Sequence, residues 1–203
     1  FNIPYVNDGQ ASFSINGTAE VGNTLSINED TADPDGTGTL SYSWQTSSDG
    51  NNWNEVSTAS SYLVASSEEG KSIKVVISYK DGQGSDETIT ISSTKIPYIN
   101  NGKASFTING TAAVGETLTI KEDSADPDGT GTLSYSWQRS TGINTNTWIE
   151  VSNSATYKVS SEDKGKSLKA IINYTDGEGF IEKASTNAIS IVLEESSTFR
   201  CTT

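Results

Sequence analysis

Apolar and polar residues alternate one for one along much of this chain. In 39–45, Leu40, Tyr42 and Trp44 are separated by Ser41 and Ser43, the period of two that turns one face of a strand to a core and the other to water. Ile73, Val75, Ile77 and Tyr79 alternate in the same way with Lys74 and Ser78. Further strands are expected around Phe13 and Ile15, Leu25 and Ile27, 53–56, Tyr62 and Val64, and Ile89 and Ile91, with Asn, Asp, Gly and Ser clusters between them. No segment carries a helical period for more than a turn. The stretches 66–70 and 161–165 are read as single helical turns where the chain crosses between sheets, ended by Gly70 and Gly165 at positive φ.

The pattern occurs twice. Ile3-Pro4-Tyr5 returns as Ile96-Pro97-Tyr98, and 32–45 returns unchanged as 125–138. The offset is 93 residues from Trp44 to Trp137 and 95 from Trp53 to Trp148. An insertion confined to one loop, with the periodic segments on either side intact, marks a surface hairpin. In the second copy Leu133, Tyr135 and Trp137 alternate with serines, and Leu168, Ala170, Ile172 and Tyr174 form the later strand. About seven strands in roughly 100 residues is the pattern of an immunoglobulin-like sandwich. The expected architecture is therefore all-β, with two tandem immunoglobulin-like β-sandwich modules at 1–95 and 96–192. Residues 193–203 are a tail or the start of a further segment.

Five elements recur in order. They are Val21-Gly22-Asn23-Thr24-Leu25, Asp33-Pro34-Asp35-Gly36, the strand 40–45, Gly70-Lys71-Ser72-Ile73, and Tyr79-Lys80-Asp81-Gly82-Gln83-Gly84. Together they resemble the tandem bacterial immunoglobulin-like repeats of large surface adhesins and RTX-type extracellular proteins, and similar modules occur on phage virions. The resemblance runs from Ile3 to about Ile191 and implies a non-catalytic module, placed outside the cell or on a virion, that works in arrays through protein contacts. It assigns no ligand and no metal.

Composition narrows the chemistry. Asp and Glu number 26 against 13 Lys and Arg, a formal net charge of −13 that repels a phosphate backbone and argues against nucleic acid as a partner. Histidine is absent and the single cysteine is Cys201, so no intrachain disulfide forms and no Cys/His zinc pattern exists. No apolar run is long enough for a membrane helix. The chain lacks Met and a signal-peptide core, so it reads as a processed or excised piece of something longer.

Two groups of residues carry candidate chemistry. Asp33, Asp35 and Asp81 lie in loops that an immunoglobulin-like sandwich places at one end, and Asp126, Asp128 and Asp176 repeat them. Closely spaced carboxylates suit Ca²⁺, the one cofactor these residues suggest. The competing reading is local and preferred, because Asp-Pro-Asp-Gly is a turn sequence and no Glu stands where an EF-hand loop requires one. Geometry places the second cluster beside 98–102. Trp44 and Trp137 are read as core. Trp53 and Trp148 begin the next strand and are read as edge packing, with a sugar-stacking or partner-contact platform as the alternative. A structural or adhesive spacer with protein partners is the first functional reading and a carbohydrate-binding module the second. No catalytic residue is nominated.

Overall fold

The computed structural model describes residues 5–142 and 146–192, and the chain divides into two compact units, Phe1–Ile99 and Asn100–Thr203. The first unit contains strands β1 (Ser12–Asn16), β2 (Thr24–Thr31), β3 (Ser41–Ser47), β4 (Asn54–Ser57), β5 (Ser61–Leu63), β6 (Ser72–Lys80) and β7 (Asp86–Lys95). The second contains β8 (Ser105–Asn109), β9 (Thr117–Ser124), β10 (Ser134–Ser140), β11 (Trp148–Ser152), β12 (Thr156–Lys158), β13 (Ser167–Thr175), β14 (Ile181–Ser185) and β15 (Ile189–Ser190). Helix is confined, among the described residues, to two 3-10 turns at Ser66–Glu68 and Ser161–Asp163. Gly70 and Gly165 follow them at φ of 70° and 68°, as the sequence indicates. No helix of the described residues is long and apolar enough to cross a membrane.

Each unit is an antiparallel sandwich. In the first, β1-β2-β5 faces β4-β3-β6-β7; in the second, β12-β9-β8 faces β11-β10-β13-β14, with β15 also paired to β13. The fourth strand of each unit thus extends the sheet of the third, where the constant-type immunoglobulin arrangement puts it on the other sheet. The long β7 corresponds in the second unit to two shorter strands; between them Thr186 donates its N–H to the Ala170 carbonyl and accepts the Ala170 N–H on its hydroxyl oxygen.

The strict alternation on β6 explains how a lean composition fills a core: Ile73, Val75, Ile77 and Tyr79 are buried and the residues between them only half-buried. Trp44 and Trp137 are both 0% exposed. Their rings stack on Tyr62 and Tyr157 at 6.0 and 5.5 Å, and their indole N–H groups donate to the carbonyls of Ala59 and Ser154 at 3.0 Å. A buried indole satisfied in this way brings its full apolar area to the core without stranding a donor.

Ile96 shares its sequence with the start of the second repeat but completes the first core. It is fully buried there, donates its N–H to the Lys71 carbonyl and accepts from Gly70. Ile191 does the same in the second unit with Lys166 and Gly165. The unit boundary therefore falls after Ile99, later than the first matching residue of the repeat.

Candidate functional site

The acidic residues gather at one end of each unit because two turns are bolted together there. Asp33 opens a turn closed by Gly36 N–H donating to its carbonyl, and Gly82 N–H of the β6–β7 hairpin donates to the carbonyls of Asp35 and Gly36, both at 3.1 Å. This approach excludes a side chain at Gly82, whose Cβ would stand 2.4 Å from the Asp35 carbonyl oxygen. A Cβ at Gly38 would stand closer still to the Lys80 carbonyl oxygen. Gly129, Gly131 and Gly177 repeat the construction in the second unit.

The result is two clusters, Asp33, Asp35 and Asp81, and Asp126, Asp128 and Asp176. In each, one oxygen from every carboxylate lies within 4.8 Å of the others. Asp33, Asp81, Asp126 and Asp176 are buried, while Asp35 and Asp128 are half-buried. Ionised carboxylates this close repel one another, more strongly where water is excluded. Among the described residues no Lys or Arg forms an ion pair with any of the six.

Hydrogen-bond donors supply the local compensation. Asp33 accepts the Asp35 N–H on Oδ1 at 2.8 Å and the Tyr79 hydroxyl on Oδ2 at 2.7 Å. Asp35 accepts the Asp8 N–H on Oδ2 and the Gln83 side-chain amide on Oδ1. Asp81 turns Oδ1 to the N–H groups of Gln83 and Ser85. Burial pushes the Asp81 carboxyl up, but these hydrogen bonds outweigh it and hold the group below the usual carboxylate range. The second unit repeats the scheme: Asp128 and Tyr174 donate to Asp126, Asn101 donates to Asp128 through its backbone and side-chain N–H groups, and three hairpin amides converge on Asp176 Oδ1. The turn chemistry expected from Asp-Pro-Asp-Gly is thus present, together with the grouping of the three carboxylates.

Several participants carry no sequence motif. The Tyr79 hydroxyl accepts the Ala11 N–H at 2.8 Å while donating to Asp33, and Tyr174 links Ala104 to Asp126 in the same way. Burial, reinforced by the neighbouring carboxylates, pushes both phenols up to about 12. Glu87 and Glu182, also buried, accept the side-chain amides of Asn7 and Asn100. The segments 7–11 and 100–104 that enter each unit are therefore fastened to its acidic end. The repeat itself was the available signal, since Asn, Gly, Ala, Tyr and Glu recur at matching positions.

Trp53 and Trp148 are half-buried. The Lys74 ammonium sits 4.2 Å from the Trp53 ring centroid and that of Lys169 4.4 Å from Trp148, cation–π contacts that occupy one ring face. The second unit also buries an arginine ion pair, with Arg139 donating to Asp163 and Glu162, each at 3.1 Å; the first unit has Thr46 in place of the arginine, and its equivalent acid, Glu68, pairs with Lys71 at 3.4 Å. Cys201 and the segment 193–203 lie outside the described residues.

No protein family matches the chain by sequence, and no curated protein does. Among solved structures, a crystal structure of domains from titin is similar over 91% of this chain at 11% identity and a TM-score of 0.35. The match spans 60% of the titin chain, and an overlap of that size carries no argument about function. The chain's own strand order and paired sheets show what it is in architecture: an all-β protein of two tandem immunoglobulin-like sandwiches.

Proposed function

We propose that the chain is a non-catalytic structural unit of a surface-exposed protein, an adhesin, fibre or virion decoration, in which each sandwich serves as a stiff spacer and protein-contact module. The observation that carries this reading is how the chain is held on both sides of the Ile99-Asn100 bond. Before it, Ile96 is locked in the first core, the Tyr98 ring fills the space over Gly70, and Ile99 N–H donates to Glu69 at 3.4 Å. After it, Asn100, Asn101, Gly102 and Ala104 are each hydrogen-bonded within the second unit. A connector fastened to its own unit on each side suits transmission of force. Pulled from its two ends in a force-spectroscopy experiment, the chain is expected to unfold in two discrete events, one per module. Gradual extension without discrete events would contradict the proposal.

The carbohydrate-binding reading rests on Trp53 and Trp148 as platforms. A sugar stacking there would have to use the ring face opposite Lys74 or Lys169 or displace the lysine, which disfavours this reading beside the first.

A further inference from the structure

We infer that each acidic end is a calcium site, with Asp33, Asp35 and Asp81 as its carboxylate ligands in the first unit and Asp126, Asp128 and Asp176 in the second. This goes beyond the spacer reading and stands or falls separately from it. Proximity of the carboxylates is not sufficient, because turns account for much of it. The deciding observation is the oxygen that the turns leave over. Asp81 is 6% exposed and Asp176 7%. In each, Oδ1 takes every hairpin amide, while Oδ2 is buried with no hydrogen-bond partner. A buried carboxylate oxygen in that position needs a donor or a cation, and the same carboxylate has an oxygen within 4.8 Å of one from each of the other two.

The two copies also preserve the same inventory by different means. The middle carboxylate accepts one side-chain amide on Oδ1 in each unit, from Gln83 in the first and from Asn101 in the second. The position each amide vacates in the other copy is filled by an acid, Asp8 in place of Asn101 and Glu178 in place of Gln83. Turn formation needs neither exchange. A site whose ion requires a set charge accounts for both.

Calcium fits this donor set better than magnesium. It accepts six to eight oxygens in irregular geometry and completes its shell with water, whereas magnesium demands a near-ideal octahedron. Half-buried Asp35 and Asp128 leave water a way in. An ion here also acts on the entering chain, because the same two carboxylates hold the backbone N–H groups of Asp8 and Asn101. With its charge balanced, the carboxylate is fixed and the entering segment with it.

Terbium luminescence tests the inference, since Tyr79 and Tyr174 touch the proposed ligands Asp33 and Asp126 and are placed to sensitise a bound lanthanide. Tyrosine-sensitised emission is expected from the intact chain, displaced by Ca²⁺ in the range of about 10⁻⁴ to 10⁻³ M found for extracellular modules and not by equal Mg²⁺. Calorimetry with Ca²⁺ alone should give two sites per chain. Asp81→Asn and Asp176→Asn retain Oδ1 for the turn while replacing the unpaired oxygen. Each should remove one site, and the pair should abolish displaceable emission. Hydrogen exchange at the Asp8 and Asn101 amides should slow on adding Ca²⁺. The inference is overturned if the wild-type chain gives no Ca²⁺-displaceable emission, whatever the variants do. It is equally overturned if both Asn variants fold and bind as the wild type does, which would place the ion elsewhere on an acidic surface.

Discussion

The Tyr79 hydroxyl ties the entering segment to a buried carboxylate with one atom, and Tyr174 repeats it. Because both phenols are raised to about 12, against about 10 in an unfolded chain, the folded state favours their neutral form. Their contribution to stability is complete below pH about 10 and is lost as the pH climbs towards 12. Melting temperature followed alongside tyrosinate absorbance should therefore fall in that window. Replacing both tyrosines with Phe should flatten the fall and cost about 1 to 3 kcal/mol per site at neutral pH, the range for a stranded buried partner. Arg139 gives a second test. Asp163 is 0% exposed, also accepts from Tyr157 and Ser160, and is held below the usual carboxylate range by hydrogen bonds that outweigh its burial. Arg139→Thr, which installs the first unit's residue, should destabilise the second unit by about 3 kcal/mol, because it leaves that carboxylate buried without its cation. Denaturant melts of the variant would show the second transition shifted and the first unmoved.

At the scale of elements, the tryptophan on the third strand is the keystone of each sandwich. Trp44→Ala or Trp137→Ala should cost about 3 to 5 kcal/mol in a denaturant melt, the usual cost of truncating a core aromatic; a loss below 1 kcal/mol would mean the ring is not the core contact described. This much was legible in the sequence, because period two marks which face is buried and the repeat confirms it. Strand partnership was not legible. The segment 54–57 has the same half-polar character on either sheet, and only tertiary packing places it beside β3. The acidic clusters were visible as loop residues that a sandwich brings to one end. Tyr79 and Tyr174 were hidden because a strand tyrosine reads as a core aromatic, and the partner of its hydroxyl lies 46 or more residues away. Lys74 and Lys169 were hidden for the same reason, since their approach to Trp53 and Trp148 is made across strands.

The whole molecule joins two self-contained cores through a stretch in which each half is fastened to its own unit. The spacer reading makes that fastening its central claim, and backbone ¹⁵N relaxation tests it most directly. Residues 96–104 should show order parameters as high as those of the strands, about 0.85. A short Gly-Ser insertion between Ile99 and Asn100 should leave both folds intact, with order parameters low at the inserted residues and still high on either side of them. Low order parameters through 96–104 in the natural chain would contradict the account.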